Sequence, residues 1–189
     1  MNRPQAMALI SAPAVALLSP ATVAVAADYL TVAQAQQAIF PESRAFEPVT
    51  LQLDDAQRRE LAERAGPQPP HGRLLVWRVL GESGALGIFF TDEVVGRQDF
   101  IDYALGIDAD GTLRTPEIMS YRESHGGEIR NAAWRRQFAR RRDGALLRNA
   151  IDIRNIAGAT LSCEHVTAGV RYLTVLWQLA LQPSGARSP

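Results

Sequence analysis

Apolar residues recur at helical spacing near the start of the chain. Val32, Ala35 and Ile39 lie three and four residues apart, as on one face of an α-helix. Pro41 cannot continue a helix, because it has no backbone N–H and its ring clashes with the preceding turn. The pattern therefore predicts a first helix within residues 30–40.

A capping signature predicts a second helix. Asp54 is followed three residues later by Gln57, and such a pair can bond reciprocally to the free N–H groups at a helix start. Gly66 suits the end of the segment, so the helix should span residues 55–65. The prolines and glycines of residues 66–72 do not suit regular structure and predict a linker.

The pattern then changes to that of β-strands. Apolar stretches at residues 74–80 and 85–90 flank a glycine-containing turn, and residues 100–107 alternate between large apolar and small or polar side chains, as strands do. A further strand is predicted at residues 117–121. Because the connections are short, an antiparallel meander over residues 73–121 is the simplest topology.

The C-terminal part of the chain is predicted to be helical. Val166, Val170, Leu173 and Trp177 recur near a helical period, so a helix over residues 163–180 would cover one face of the sheet. The expected fold class is α+β, a single domain with a curled antiparallel sheet flanked by helices. A shorter helix over 131–140 should pack two aromatic residues into the core, namely Trp134 and Phe138.

Residues 1–26 have the features of a secretory signal peptide. Arg3 precedes a largely apolar run over residues 6–18, and small residues close the segment, which is the order typical of such peptides. Cleavage after Ala26 would leave 163 residues (189 − 26), a suitable length for one domain. No later apolar stretch reaches the about 20 residues that span a bilayer, so we expect a periplasmic protein.

Charge and composition argue against two other classes. The chain has 20 basic and 20 acidic residues, so loss of Arg3 with the signal peptide gives 19 − 20 = −1, which does not favour nucleic-acid binding. The arginine-rich run at 135–142 is then expected to be a solvated face or a docking patch. Three histidines without a second clustered pair predict no metal site.

A run of small residues before the C-terminal helix could expose a reactive hydroxyl. Ala157, Gly158 and Ala159 offer almost no side-chain bulk, and Gly158 can adopt a positive φ, so Thr160 should be accessible. Thr160 or Ser162 could cap the helix, and an anion on Thr160 would lie near its positive end. On the residues alone, the segment is equally consistent with a tight turn before a core helix.

The loop at 156–162 resembles the attachment loop of FMN-binding domains, as found in sodium-pumping NADH:quinone reductases and in Rnf complexes. The resemblance implies that a separate flavin transferase joins FMN to Thr160 through a phosphoester. The family pattern has an acidic residue and a serine or threonine where this chain has Arg154 and Ala157. Asp152 lies two residues too early for the acidic position.

A second segment is similar to the Glu-Thr-Pro-Gly-Leu-Gly segment of the same family. Glu123, Ser124 and Gly126 occupy matching places, and Gly127 lies one residue short of the second glycine. Glycines allow close approach to a planar ring, and the polar groups could bond to flavin edges. An ordinary glycine-rich loop is the alternative. The predicted cofactor-binding residues are Glu123, Ser124, Gly126, Gly127, Ala157, Gly158, Ala159, Thr160, Leu161 and Ser162.

The resemblance implies a domain order and a function. Residues 1–26 would be the signal peptide, 27–72 a helical section with linker, 73–181 the FMN-binding domain and 182–189 a disordered tail. The protein would carry electrons in the periplasm between membrane or periplasmic redox partners, and it would be the substrate of an FAD-dependent flavin transferase rather than an enzyme.

Two other classes of function compete with the electron carrier. One is a sensory or binding module that holds flavin, haem or another small ligand without passing electrons. The other is a secreted hydrolase that uses Ser162 and His165, although a spacing of three residues on a helix does not suit a nucleophile and its base.

Overall fold

The fold is described from a computed structural model that covers residues 27–66, 73–123, 126–142 and 144–182. The predicted signal peptide, all but the first residue of the linker, Ser124 and the tail beyond residue 182 lie outside the described residues.

The described residues form one antiparallel sheet of six strands, in the order β1-β6-β5-β4-β3-β2. Each neighbouring pair is antiparallel. The predicted meander is confirmed, since β3 to β6 follow one another both along the chain and across the sheet. The strands are β1 (Ala27–Asp28), β2 (Ala45–Pro48), β3 (Leu75–Gly81), β4 (Gly84–Val95), β5 (Phe100–Asp108) and β6 (Glu117–Tyr121).

Two short edge strands extend the sheet beyond the predicted meander. β2 pairs with β3, and β1 pairs with β6, so the section at 27–72 is helical only in part. Strands of four and two residues are too short to show the alternation that identifies a strand. Pro48 is tolerated at the end of β2 because an edge strand needs fewer backbone donors.

The first two helices begin at capping boxes. α1 (Val32–Ile39) is capped by Thr31 with Gln34, and α2 (Asp55–Ala65) by Asp54 with Gln57. In both pairs the cap side chain accepts an N–H bond while the glutamine side chain accepts one from the cap backbone. Both predicted helices are confirmed, and α2 has the predicted bounds.

The sheet is covered on both faces. On one face the last long helix, α4 (Thr160–Leu176), contributes buried Val166, Val170 and Leu173 to the larger core, and Trp177 joins them from the π-helical turn that follows, Trp177–Leu181. On the other face α1 packs against the sheet in a second core cluster. β5 supplies both cores, because its alternating residues point to opposite faces. The α+β class, a single domain with an antiparallel sheet and flanking helices, is confirmed.

The predicted helix over 131–140 is wrong in length. α3 covers only Ala132–Arg135, after a 3₁₀ turn at Gly127–Arg130. The chain then leaves the helix because the backbone N–H of Arg140 donates to the Leu113 carbonyl and Arg140 takes a φ of 63°. Trp134 and Phe138 are nevertheless buried in the core, with ring centroids 5.2 Å apart.

A second 3₁₀ turn, Gly144–Leu146, precedes the loop that leads to α4. Among the described residues, no helix is both long enough and apolar enough to cross a membrane.

Candidate functional site

The loop before α4 has the predicted conformation at its glycine. Gly158 has a φ of +83°, and a Cβ at this position would have no described atom within 4 Å. Ala157 and Gly158 are exposed, whereas Ala159 is buried and its N–H donates to the Ile156 carbonyl. The small residues therefore do leave the outer side of the loop open.

Thr160 is the first residue of α4 rather than its cap. The N-cap position belongs to Ala159, which offers no side-chain hydrogen bond to the helix. The prediction that Thr160 or Ser162 caps this helix is therefore wrong. Thr160 lies one residue past the cap position and is exposed. Because Ala159 occupies the cap position, the start of this 17-residue helix has no side-chain cap.

Ser162 differs from Thr160 in both burial and bonding. Its side chain is buried, and its Oγ lies 3.1 Å from the phenol oxygen of Tyr121 at the end of β6. Burial raises the pKa of Tyr121, and the hydrogen bond to Ser162 opposes that shift only in part. The two hydroxyls are two residues apart in sequence, yet Thr160 faces solvent while Ser162 is sequestered.

Gly126 brings the two predicted segments together. It has a φ of +91°, and an added Cβ would lie 2.5 Å from the Tyr121 phenol oxygen and 3.0 Å from the Cβ of Ala159. The glycine segment after β6 therefore packs directly on the loop that carries Thr160. Gly127 lies farther away, since the nearest atom to its added Cβ is Cδ1 of Tyr121 at 4.0 Å.

A cleft of about 550 Å³ lies beside Thr160. Its size is in the range of small-molecule sites. Ala157, Gly126 and Gly127 do not line the cleft, and Ser124 lies outside the described residues. The lining consists of Arg97, Gln98, Glu123, Gly158, Ala159, Thr160, Leu161 and Ser162.

Arg97 and Gln98 are site residues that the sequence pattern did not predict. They lie in the short connection between β4 and β5, opposite Glu123. The Oε1 atom of Glu123 accepts hydrogen bonds from the backbone N–H groups of Arg97, Gln98 and Asp99, at 2.5, 2.6 and 3.0 Å. A polar four-residue turn between strands is common, so the sequence carries no signal for this contact.

The residues around the cleft fit a phosphate-bearing cofactor. An exposed hydroxyl stands at the start of a long helix, where N–H groups and the helix dipole favour an anion. No side chain caps this helix start within the described part of the chain. Thr160 would hold the phosphate, while Leu161, which is 44% exposed, and the turn at 97–98 would line the space for the rest of the ligand.

Arg154, which stands where the family pattern has an acidic residue, and nearby Asp152 face a different cleft. Asp152 and Arg154 line a neighbouring cleft of about 720 Å³. Asp152 is bound to Arg148, whose backbone N–H and Nε both donate to its Oδ2 at 2.9 Å. Arg154 is exposed, and its carbonyl accepts the indole N–H of Trp134 at 2.9 Å.

The hydrolase alternative is not supported by the geometry. Ser162 is buried against Tyr121, and the Nδ1 atom of His165 is hydrogen bonded to the carbonyl of Val95. The two side chains are thus engaged with different partners rather than with each other. In the described ranges, no group of three or more candidate ligands is placed to hold a metal ion.

The arginine-rich run at 135–142 is partly engaged in structure. Arg135 is paired with Glu117, and Arg142 with Asp110. Arg141 donates to the carbonyls of Gln137 and Asp152. Much of the run therefore holds loops together.

The fold is a single α+β domain, and its cleft lies beside an exposed threonine at a helix start. Residues 96–174 match the model of the FMN-binding domain family, which supports an FMN-binding domain over this part of the chain. The matched segment contains every residue that lines the cleft beside Thr160. No curated protein matches the chain.

Proposed function

We propose that FMN is attached covalently to Thr160, through a phosphoester to its Oγ1 atom. The observation that carries this proposal is the contrast between the two hydroxyls at the start of α4. Thr160 is exposed beside the cleft, whereas Ser162 is only 4% exposed and bonded to Tyr121. A bulky transferase can reach the first hydroxyl and not the second.

Attachment requires a donor and a separate transferase. With FAD as donor, the Thr160 oxygen attacks the phosphorus of the FMN half, the bond from that phosphorus to the bridging oxygen of the pyrophosphate breaks, and AMP leaves. The hydroxyl proton passes to a base, and nothing is oxidised or reduced. Within the cleft, the Oε1 atom of Glu123 already accepts three N–H bonds, so we assign the base to the transferase.

The role we propose is that of a periplasmic electron carrier. FMN supplies the redox chemistry when it is bound, and the protein supplies binding and orientation. The predicted signal peptide at 1–26 would export the chain, and covalent attachment would prevent loss of the cofactor by dilution. Its partners would be the flavin transferase and a membrane or periplasmic redox protein.

The acceptor site is tested by producing the wild-type chain, Thr160→Ala and Ser162→Ala together with an active flavin transferase. The wild-type chain and Ser162→Ala are expected to gain the mass of FMN less water and to show flavin fluorescence on a denaturing gel. Thr160→Ala is expected to gain neither. An unmodified wild-type chain, while a known substrate of the same transferase is loaded, would refute covalent attachment. Peptide mapping to Ser162 would refute the site.

Electron transfer needs its own measurement. The loaded protein is mixed without oxygen with membranes from its native host and their physiological reductant, and the flavin absorbance is followed. Bleaching at a rate that depends on the protein concentration is expected of a carrier. Flavin that stays oxidised would favour the alternative module, which binds flavin without passing electrons.

A further inference from the structure

The turn that follows β4 is tied to the end of β6 by one carboxylate. Three consecutive backbone N–H groups, those of Arg97, Gln98 and Asp99, converge on Oε1 of Glu123. Gly96 makes room for this oxygen, since a Cβ there would lie 2.6 Å from it. Successive N–H groups that converge in this way form an anion-binding concavity.

Two further hydrogen bonds of the turn do not link it to the rest of the site. The N–H of Gly96 donates to the Asp99 carbonyl at 2.7 Å, and the N–H of Phe100 donates to Oδ1 of Asp99 at 2.9 Å. Both bonds lie within the turn and its first flanking residue. Hydrogen bonds to an ionised acceptor are stronger than neutral ones, so Glu123 is well suited to fix this turn.

The fixed turn stands across the cleft from the proposed attachment point. Arg97 and Gln98 line the same cleft as Thr160, and both are exposed. Their side chains carry a cation and an amide, and both can donate hydrogen bonds. These groups suit the polar edge of a flavin ring, where carbonyl oxygens and ring nitrogens accept hydrogen bonds.

We propose that the turn at 97–99 is the second wall of the flavin site and that Glu123 is its positioning residue. Glu123 acts through the backbone of the turn and holds Arg97 and Gln98 where they orient a flavin attached at the opposite wall. This inference rests on the proposed attachment at Thr160. The flavin ring is then oriented by the turn at 97–99, whereas the phosphoester is carried by Thr160 at the start of α4.

The unloaded protein provides the first test. Amide hydrogen exchange at residues 97–99 is compared among the wild type, Glu123→Gln, Glu123→Ala and Glu128→Ala, whose carboxylate on the neighbouring 3₁₀ turn serves as the matched control. Loss of a charged acceptor should speed exchange about tenfold or more in Glu123→Ala. Glu123→Gln, which keeps a carbonyl acceptor, should fall between it and the wild type, and Glu128→Ala should match the wild type.

The loaded protein provides the second test. The flavin signals of all four proteins are compared per mole of FMN attached to Thr160, so a variant that gains FMN more slowly is still compared on its loaded fraction. In Glu123→Ala the visible circular dichroism of the flavin should weaken and its fluorescence anisotropy should fall toward the value of a tethered, mobile ring. A role in stability alone would lower the unfolding temperature without changing these signals in the folded protein.

The outcomes separate this inference from the proposed function. A wild-type chain that gains no FMN beside an active transferase refutes the attachment and, with it, the flavin-orienting role. A loaded Glu123→Ala protein with wild-type amide exchange and wild-type flavin signals refutes the positioning role alone. If Glu123→Ala fails to fold, the same comparison is made with Glu123→Gln, for which wild-type values in both tests count equally against the proposal.

Discussion

Replacing Gly126 with alanine tests the contact that joins the two segments of the proposed flavin site. The matched control is Gly158→Ala, because both glycines have a positive φ, +91° and +83°. They differ in the space around them. An added Cβ at Gly126 would lie 2.5 Å from the Tyr121 phenol oxygen and 3.0 Å from Ala159, whereas at Gly158 it would meet no described atom within 4 Å.

The expected cost of each substitution follows from these distances. A left-handed conformation costs a residue with a Cβ about 1–2 kcal/mol, and alanine recovers about 0.4–1 kcal/mol by restricting the unfolded chain. Gly158→Ala should therefore lower the free energy of unfolding by about 1 kcal/mol. Gly126→Ala adds an overpacking cost of about 1–3 kcal/mol, because neither Tyr121 nor Ala159 can move freely in the buried site, which gives about 2–4 kcal/mol in total.

Urea unfolding measures both changes. The midpoint should fall for each variant without a change in slope, since the surface exposed on unfolding is the same. Thermal midpoints should fall in the same order, by roughly 2–4 °C per kcal/mol for a chain of this length. Equal losses for the two variants would refute the packing of Gly126 on the loop that carries Thr160.

Three further predictions concern other parts of the chain. Burial, with a smaller effect of nearby Asp92, raises the pKa of Tyr103 well above its ordinary value. The stability that the neutral Tyr103 side chain contributes is therefore complete below about pH 10 and is lost as the pH rises further. Unfolding curves should show a smaller loss of stability at alkaline pH for Tyr103→Phe than for the wild type. Arg154→Asp should leave the unfolding midpoint unchanged, because Arg154 is exposed. The substitution restores an acidic residue six places before Thr160, so a transferase from an unrelated organism should attach FMN to this variant faster, as followed by mass. Equal rates for the variant and the wild type would show that this position is irrelevant to recognition. Export by a Gram-negative host should give a mature chain that begins at Ala27, as read by N-terminal sequencing, and retention of residues 1–26 would contradict the signal peptide.

The elements that could be predicted from the sequence are those with a strong local pattern. The capping box at Asp54 and Gln57 and the alternation in β5 are encoded within about ten residues, and both were confirmed. α4 was recognisable because its buried residues keep a helical period over four turns. The loop that carries Thr160 was recognisable because a run of small residues before a helical pattern indicates a tight turn with an open outer side.

The parts that could not be predicted depend on contacts between distant residues. α3 ends early because Arg140, in the chain after it, pairs with Leu113, which lies 27 residues earlier (140 − 113). β1 and β2 are strands only because longer strands offer them an edge. The turn at 97–99 becomes part of the site through Glu123, 24 to 26 residues later, and no periodicity reports such a contact.

The uncapped start of α4 connects these observations. A serine, threonine or aspartate at the N-cap would stabilise the helix by about 1 kcal/mol relative to alanine, yet Ala159 occupies that position. Ala159 is buried against Gly126, so a larger capping side chain would press on the segment after β6. The same alanine leaves the N–H groups of the first turn without a side-chain cap, next to an exposed Thr160. Under the proposed function, a phosphate on Thr160 would take the place of the missing cap, and the stability that the sequence forgoes at this helix would be recovered when the cofactor is attached.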